Sequence, residues 1–386
     1  MAKTTLLFFF ANLIFPLFII ASLNVSPIFC YRAWRRPPFP YRRPLPSPPP
    51  PPPQPLPHKI STVLIFGDST VDTGNNNHLS TVFKANFPPY GQDFPGHVAT
   101  GRFSNGKLVP DFLASMLGIK DTVPPYLDPG LRPRDLLTGV SFASAGSGYD
   151  ERISTGFTNV IPVLKQVDLF RRYIERVEGL VEEARALEIV NAALVLVTAG
   201  TNDMTFNFYD VPSTTNRRAE FNLSGYHHFL QNNLGIFVKE LYTLGARRML
   251  ITGLPPIGCL PIQKATRHSQ SCVKQQNKDA LSYNKKLKKL LPILQSELPR
   301  SRLIFGDIYK PFLEMIRFPK KYGFSEVSKG CCGTGRSMER SMLCNRKTPK
   351  CHNASQYVFW DSIHPSQATY ELASKRILLR LLPELT

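Results

Sequence analysis

A chain of 386 residues and 42% hydrophobic content has apolar mass for a packed core in one large domain or two ordinary ones. Its formal charge of +19 favours an anionic partner: nucleic acid, an anionic lipid surface or an acidic polysaccharide such as pectin. There is no zinc-finger spacing, RNA-binding aromatic signature or P-loop, so nucleic acid is set aside. The charge is uneven. Residues 1–60 hold seven basic groups and no acid, leaving 40 basic against 28 acidic groups over the other 326 residues.

The N-terminus opens with Lys3 and an apolar run from Leu6 to Ile20 broken only by Asn12 and Pro16. A basic start and an apolar centre predict a secretory signal over residues 1–30, with cleavage anywhere from Ala21 to Ala33. An uncleaved anchor is the alternative, although the run is short for a span of about 20 residues. No later apolar stretch is long enough to cross a bilayer, so no integral span is expected after processing. Residues 31–59 follow as a cationic arm, with 13 prolines in the 21 positions Pro37–Pro57. Such a run excludes helix and central strand and predicts polyproline II. Interleaved Arg35, Arg36, Arg42 and Arg43 suit a cell-wall or anionic surface, and a plain linker is the competing reading. Ser47 with its six following prolines resembles one extensin repeat.

From residue 60 onward, strand and helix patterns alternate. Apolar, β-branched runs predict strands at Thr62–Phe66, Val140–Ser144, Ala193–Thr198, Arg248–Thr252 and Arg302–Phe305. Helical periodicity predicts helices over Lys107–Leu117, Val163–Val177, Tyr226–Leu244, Val273–Leu298 and Gln367–Leu382. Strands separated by helices imply parallel crossovers, hence an α/β fold with a three-layer α/β/α sandwich spanning 60–386. The segments Asn86–Gly106 and Lys329–Cys351 read as long surface excursions that shape the substrate pocket. Six cysteines (Cys259, Cys272, Cys331, Cys332, Cys344, Cys351) remain beyond Cys30 of the export region. An even set in an exported chain fits a disulfide framework whose pairing the sequence leaves open. Asn222 and Asn353 open glycosylation sequons.

Gly67-Asp68-Ser69 leaves the first predicted strand at its carboxyl end, where ligands bind in open α/β sheets. That makes Ser69 a candidate nucleophile, although strand-ending turns are rich in these residue types anyway. A serine needs a base, and the base an orienting group. Of eight histidines, only His364 has a carboxylate at a suggestive short spacing, in Asp361-Ser362-Ile363-His364-Pro365. Two more strand ends offer oxyanion donors: Gly146, within Ala145-Gly146-Ser147-Gly148, through its backbone N–H, and Asn202 through its side-chain amide. Asp203 beside it reads as a brace for its loop. No Gly-x-Ser-x-Gly elbow exists, which disfavours the common α/β-hydrolase arrangement.

These four blocks, taken in order, resemble the plant GDSL esterase/lipase family of the SGNH-hydrolase superfamily over residues 61–382. So do Pro88-Pro89-Tyr90-Gly91, the stretch Thr100–Gly106 and the stretch Gly253–Cys259. The signal and proline-rich arm are most similar to the extracellular lipases and anther-specific proline-rich proteins of that family. The resemblance implies a flavodoxin-like fold around a five-stranded parallel sheet, and no metal or organic cofactor. It implies a catalytic set of Ser69, His364 and Asp361, with an oxyanion hole from the Ser69 and Gly146 N–H groups and the Asn202 amide. Ser141 stands where asparagine is usual, beside the site. The reading is a secreted, extracellular or wall-bound serine esterase acting on lipid, polyester or acetylated polysaccharide through an acyl-enzyme. Two alternatives stay open: a wall- or lipid-associated binding protein with a vestigial site, and an acyltransferase using the same serine.

Overall fold

The computed structural model describes residues 60–154, 159–209, 217–333 and 344–385; the expected signal segment and the whole proline-rich arm, residues 1–59, lie outside them. Strand β1 (Val63–Gly67) is buried at every position. It opens a parallel sheet that continues in order through β2 (Leu194–Thr198), β3 (Arg248–Thr252) and β4 (Arg302–Gly306). The register is flush. Val63 lies opposite Leu194, and Arg248 lies opposite both Leu194 and Arg302, so the four carboxyl ends share one edge.

The expected fifth strand is irregular. Along the free edge of β1, Ile65 N–H donates to Val140 O at 3.1 Å, and Phe142 and Ser144 donate back to Ile65 and Gly67 O. Only a single bridge, Ile65 to Ser141, results. On the outer side the Asn75 amide donates to both Ser141 O and Ala143 O at 2.8 Å. A side chain and one further bridge, Pro125 to Ser141, thus take the place of a ladder, and four regular strands carry the sheet instead of five.

Alternating side chains send the two sheet faces into different cores. Leu64, Phe66, Val195, Val197, Met249 and Ile251 join one cluster with helices α3 (Gln166–Glu178), α4 (Glu183–Ala192), α5 (Leu223–Thr243) and α7 (Lys274–Glu297). Val63, Ile65, Leu194, Leu196 and Ile304 join the other, with Leu113 of α1 (Val109–Met116) and Ile377 of α9 (Gln367–Leu385). Those are the three layers expected. Phe66 anchors the first core, stacking on Phe142 at 4.8 Å and meeting Phe170 and Phe237 edge-on. Burying such a ring is worth about 1.5–3 kcal/mol.

Shorter pieces fill the periphery: α2 (Pro133–Thr138), α6 (Pro261–Thr266) and α8 (Tyr309–Arg317). A two-stranded parallel pair, β5 (Glu326–Gly330) with β6 (Tyr357–Phe359), carries the chain toward α9. The six cysteines pair as Cys259–Cys272, Cys331–Cys351 and Cys332–Cys344. The last two clip the segment that flanks β5 and β6. Among the described residues no helix is long and apolar enough to cross a membrane.

Candidate active site

Gly67 ends β1 and is held on both sides of its peptide. Its N–H donates to Gln166 Oε1, and its carbonyl accepts from Gln166 Nε2, Ser147 Oγ and Ser144 N–H. Asp68 N–H then donates to Thr198 O, and Asp68 Oδ1 accepts from the Thr70 N–H and hydroxyl. The turn has no freedom left, and Ser69 stands at the shared carboxyl edge of the sheet, 6% exposed. Burial raises the Asp68 carboxyl above its usual range, against the pull of the Thr70 bonds.

Ser69 Oγ lies 2.8 Å from His364 Nε2. His364 Nδ1 lies 2.8 Å and 3.0 Å from the two oxygens of Asp361. An ionised carboxylate only accepts, so Nδ1 carries the proton and Nε2 is left to accept from the serine hydroxyl. Asp361 is fully buried. Its Oδ1 also accepts the N–H groups of Ile363 and His364, at 2.8 and 2.7 Å. Three residues of chain are thereby wound around one carboxylate. The structure thus brings Ser69, His364 and Asp361 into one hydrogen-bonded line.

Asn202 lines the same cavity as Ser69, and one of its amide protons goes to Ser147 O at 2.8 Å. The amide nitrogen carries a second proton. Gly146 N–H makes no hydrogen bond among the described residues. Gly148 serves space: a Cβ there would stand 2.5 Å from Asp203 Oδ1. Asp203 is the brace expected of it, accepting from Tyr149 and Asp150 N–H at 3.0 and 2.8 Å. Asn222 and Asn353 are both exposed, the first capping α5 through Gly225 N–H and the second accepting from Ser355. Among the described residues no cluster of three or more His, Cys, Asp or Glu could hold a metal ion.

Below Ser69 lies a cavity of ≈ 60 Å³ walled by apolar side chains, among them Val71, Leu260, Phe312, Ile363 and Ile377. No described residue of either long excursion lines this cavity. They pack behind the triad. Tyr90, Phe103, Trp360 and the cysteines Cys331, Cys332 and Cys344 form a core of their own, with Phe103 5.0 Å from the His364 ring.

A family model described as GDSL-like lipase/acylhydrolase matches residues 63–377. The chain belongs to this family. It is 51% identical to GDSL esterase/lipase At1g06990 of Arabidopsis thaliana, across 81% of this chain and 86% of that one. It is also 51% identical to GDSL esterase/lipase At2g30310 of the same plant, across 80% and 86%. This plant GDSL hydrolase is therefore a carboxylic ester hydrolase, and the serine-histidine-carboxylate line sits within the matched region.

Several residues that build the GDSL site escaped the sequence reading. Asp72 ties the first block to the second, accepting Gly74 and Asn75 N–H at one oxygen and Ala145 N–H at the other. Asn76 repeats the tie, donating to Phe83 O and Ala145 O and accepting from Ser144 Oγ. The available signal was the Asp-x-x-Asn-Asn run straight after the nucleophile turn, where such residues bind backbone. Tyr90 donates to Asp361 Oδ2 at 2.9 Å across 271 residues. No local pattern announces a contact of that span.

Proposed function

We propose that this GDSL hydrolase is a secreted serine esterase working through an acyl-enzyme. The observation that carries the reading is the unbroken line from Ser69 Oγ through His364 to Asp361, opening on an apolar cavity. Ser69 attacks the ester carbonyl while His364 Nε2 takes its proton, and Asp361 holds the imidazole in the tautomer this needs. Charge on the carbonyl oxygen meets the N–H groups of Ser69 and Gly146 and the second Asn202 amide proton. The proton on Nε2 then passes to the departing alkoxide. Water, deprotonated at the same nitrogen, attacks the acyl-serine and releases acid and free enzyme.

Export rests on the basic-then-apolar N-terminus, and three disulfides support it, since such bonds persist in oxidising compartments. With it come wall or anionic-surface association through the arm and glycosylation at Asn222 and Asn353. The test is p-nitrophenyl ester hydrolysis by wild type and Ser69→Ala. The variant is expected to lose about 10⁴-fold or more in kcat/KM while keeping its Tm, and to escape labelling by a serine-directed phosphonate that marks wild type. Hydrolysis unchanged in a folded Ser69→Ala protein overturns the assignment.

A further inference from the structure

The three donors for the carbonyl oxygen come from separate places along the sheet's carboxyl edge. Ser69 follows β1, Gly146 follows the Val140–Ser144 edge, and Asn202 follows β2. Donors aimed at one developing charge must agree closely in position, and a displacement of 1 Å costs about 10²-fold in rate. Ser147 is common to all three. Its Oγ donates to Gly67 O at 2.9 Å, on the peptide that enters the nucleophile turn. Its N–H closes a turn on Ser144 O at 3.2 Å, with Gly146 inside the turn at φ +86°. Its carbonyl accepts one amide proton of Asn202 at 2.8 Å.

Gln166, the first residue of α3, completes this junction. Its side chain pairs with Gly67 in both directions: Oε1 accepts the Gly67 N–H and Nε2 donates to Gly67 O, each at 2.8 Å. Both the Gln166 and Ser147 residues are 0% exposed. Gly67 O thus collects three donors, from Gln166, Ser147 and the Ser144 N–H, while Asp68 N–H of the same peptide is held by Thr198 O at 3.1 Å. A carbonyl has two lone pairs. Three donors exceed what satisfying it requires, and their joint effect is to fix the direction of the peptide that leads into Ser69.

We propose that Ser147 and Gln166 are positioning residues for the oxyanion hole, setting the Ser69, Gly146 and Asn202 donors in register without touching the substrate. This rests on the esterase reading, in which those donors receive the charge of the tetrahedral intermediate, and adds the residues that hold them. A loosened register weakens binding of the intermediate more than binding of the ester, so kcat falls while KM holds.

The experiment compares wild type with Ser147→Ala, Gln166→Glu and Tyr173→Phe on a p-nitrophenyl ester that wild type turns over, with active sites counted by a serine-directed phosphonate. Tyr173→Phe controls for stability: it deletes a buried bond further along α3, from the Tyr173 hydroxyl to Leu136 O at 2.6 Å. It is expected to lower Tm with kcat per titrated site unchanged. Ser147→Ala removes one of three donors on Gly67 O, so it is expected to fold, with kcat per site about tenfold lower and KM within about twofold of wild type. Gln166→Glu keeps the size and the acceptor for Gly67 N–H, but its carboxylate sets an oxygen against Gly67 O, and kcat per site is expected to fall at least as far. The second readout is a trifluoromethyl ketone, which Ser69 attacks to give a tetrahedral alkoxide as its proton passes to His364. Its affinity is expected to fall in both variants by the same factor as kcat/KM. Ser147→Ala decides alone if Gln166→Glu does not fold. A wild-type kcat per site in Ser147→Ala, a loss confined to KM, or an unchanged inhibitor affinity overturns the assignment. Ester hydrolysis that survives Ser69→Ala overturns the esterase reading instead.

Discussion

Asp361 accepts from the Ile363 and His364 backbone, from the His364 ring and from Tyr90. The Tyr90 bond is the one that reaches furthest along the chain. The Tyr90 oxygen in turn accepts from Cys344 N–H at 3.2 Å, which ties the disulfide-clipped segment to the triad. Tyr90 touches no substrate and is a positioning residue. Tyr90→Phe is expected to lower kcat about tenfold, one charge-assisted hydrogen bond's worth, with KM and Tm nearly unchanged. A fall in Tm matching the fall in activity would reduce the bond to simple stability. His227 is a residue of the opposite kind. It is buried on α5 with both ring nitrogens unpaired, 5.5 Å from the Tyr283 ring. Burial first, then the Lys286 charge, lowers its pKa from 6.5 to about 4. As pH falls through this window the unfolded chain takes up a proton that the folded chain refuses, so this histidine costs stability on the acid side. His227→Phe is expected to raise Tm, and by more at pH 4.5 than at pH 7.5. A gain independent of pH would place the cause elsewhere.

At the scale of elements, what was legible was whatever periodicity encodes. The four regular strands, the four longest helices and α1 were readable, whereas α4 and α8 were not. Ends were displaced by a few residues: Val163–Val177 resolves into one 3-10 turn and α3, and α7 runs Lys274–Glu297. Ser69, His364 and Asp361 were readable too, because each lies in a short block at a strand end or before the last helix. The pieces that escaped are those held by distant side chains. Asn75 replaces a ladder along Val140–Ser144, and Gln166 grips Gly67 from 99 residues away. The Asn86–Gly106 excursion was readable as a segment near the site, but not that its Tyr90 and Phe103 back the triad. That division makes the strand end testable. Gly67 has φ +140°, and a Cβ there would stand 1.9 Å from Thr198 O; Gly118 has φ +69° with nothing within 4 Å. Gly67→Ala is expected to cost about 4 kcal/mol or more, by forcing β1 from β2. Gly118→Ala carries only the left-handed penalty of about 1–2 kcal/mol. Equal losses in urea titrations of the two variants would mean that backbone conformation, rather than the close approach to β2, sets the requirement for glycine at position 67.

For the whole molecule the carboxylates that join the blocks set the pH at which it is most stable. Asp72 links the nucleophile segment to Ala145, and Asp203 links the Asn202 loop to Tyr149 and Asp150. Burial, the largest cause in each case, raises them from 3.8 to about 6 and about 7, outweighing the backbone N–H groups they accept. As pH falls from 7.5 to 5.5 the folded state therefore takes up protons that the unfolded state, with carboxyls near 3.8, does not yet bind. Stability rises on acidification through that range and is lost as pH rises through the folded values. His227 works against this, but it is one group against two, and the net sign stays with the carboxylates. Tm is expected to be higher at pH 5.5 than at pH 7.5, by about 1–3 °C for a net gain of about 0.5–1 kcal/mol. Below about pH 5 the trend should reverse, as surface carboxylates such as Asp135, held low by Arg132, begin to protonate. A scan of Tm against pH by calorimetry in matched ionic strength reads this directly. A steady fall in Tm from pH 7.5 to 5.5 would show Asp72 and Asp203 to be ionised in the folded state, their N–H donors outweighing burial. A maximum on the acid side would fit a hydrolase whose working compartment is mildly acidic, which bears on export without relying on the N-terminal segment.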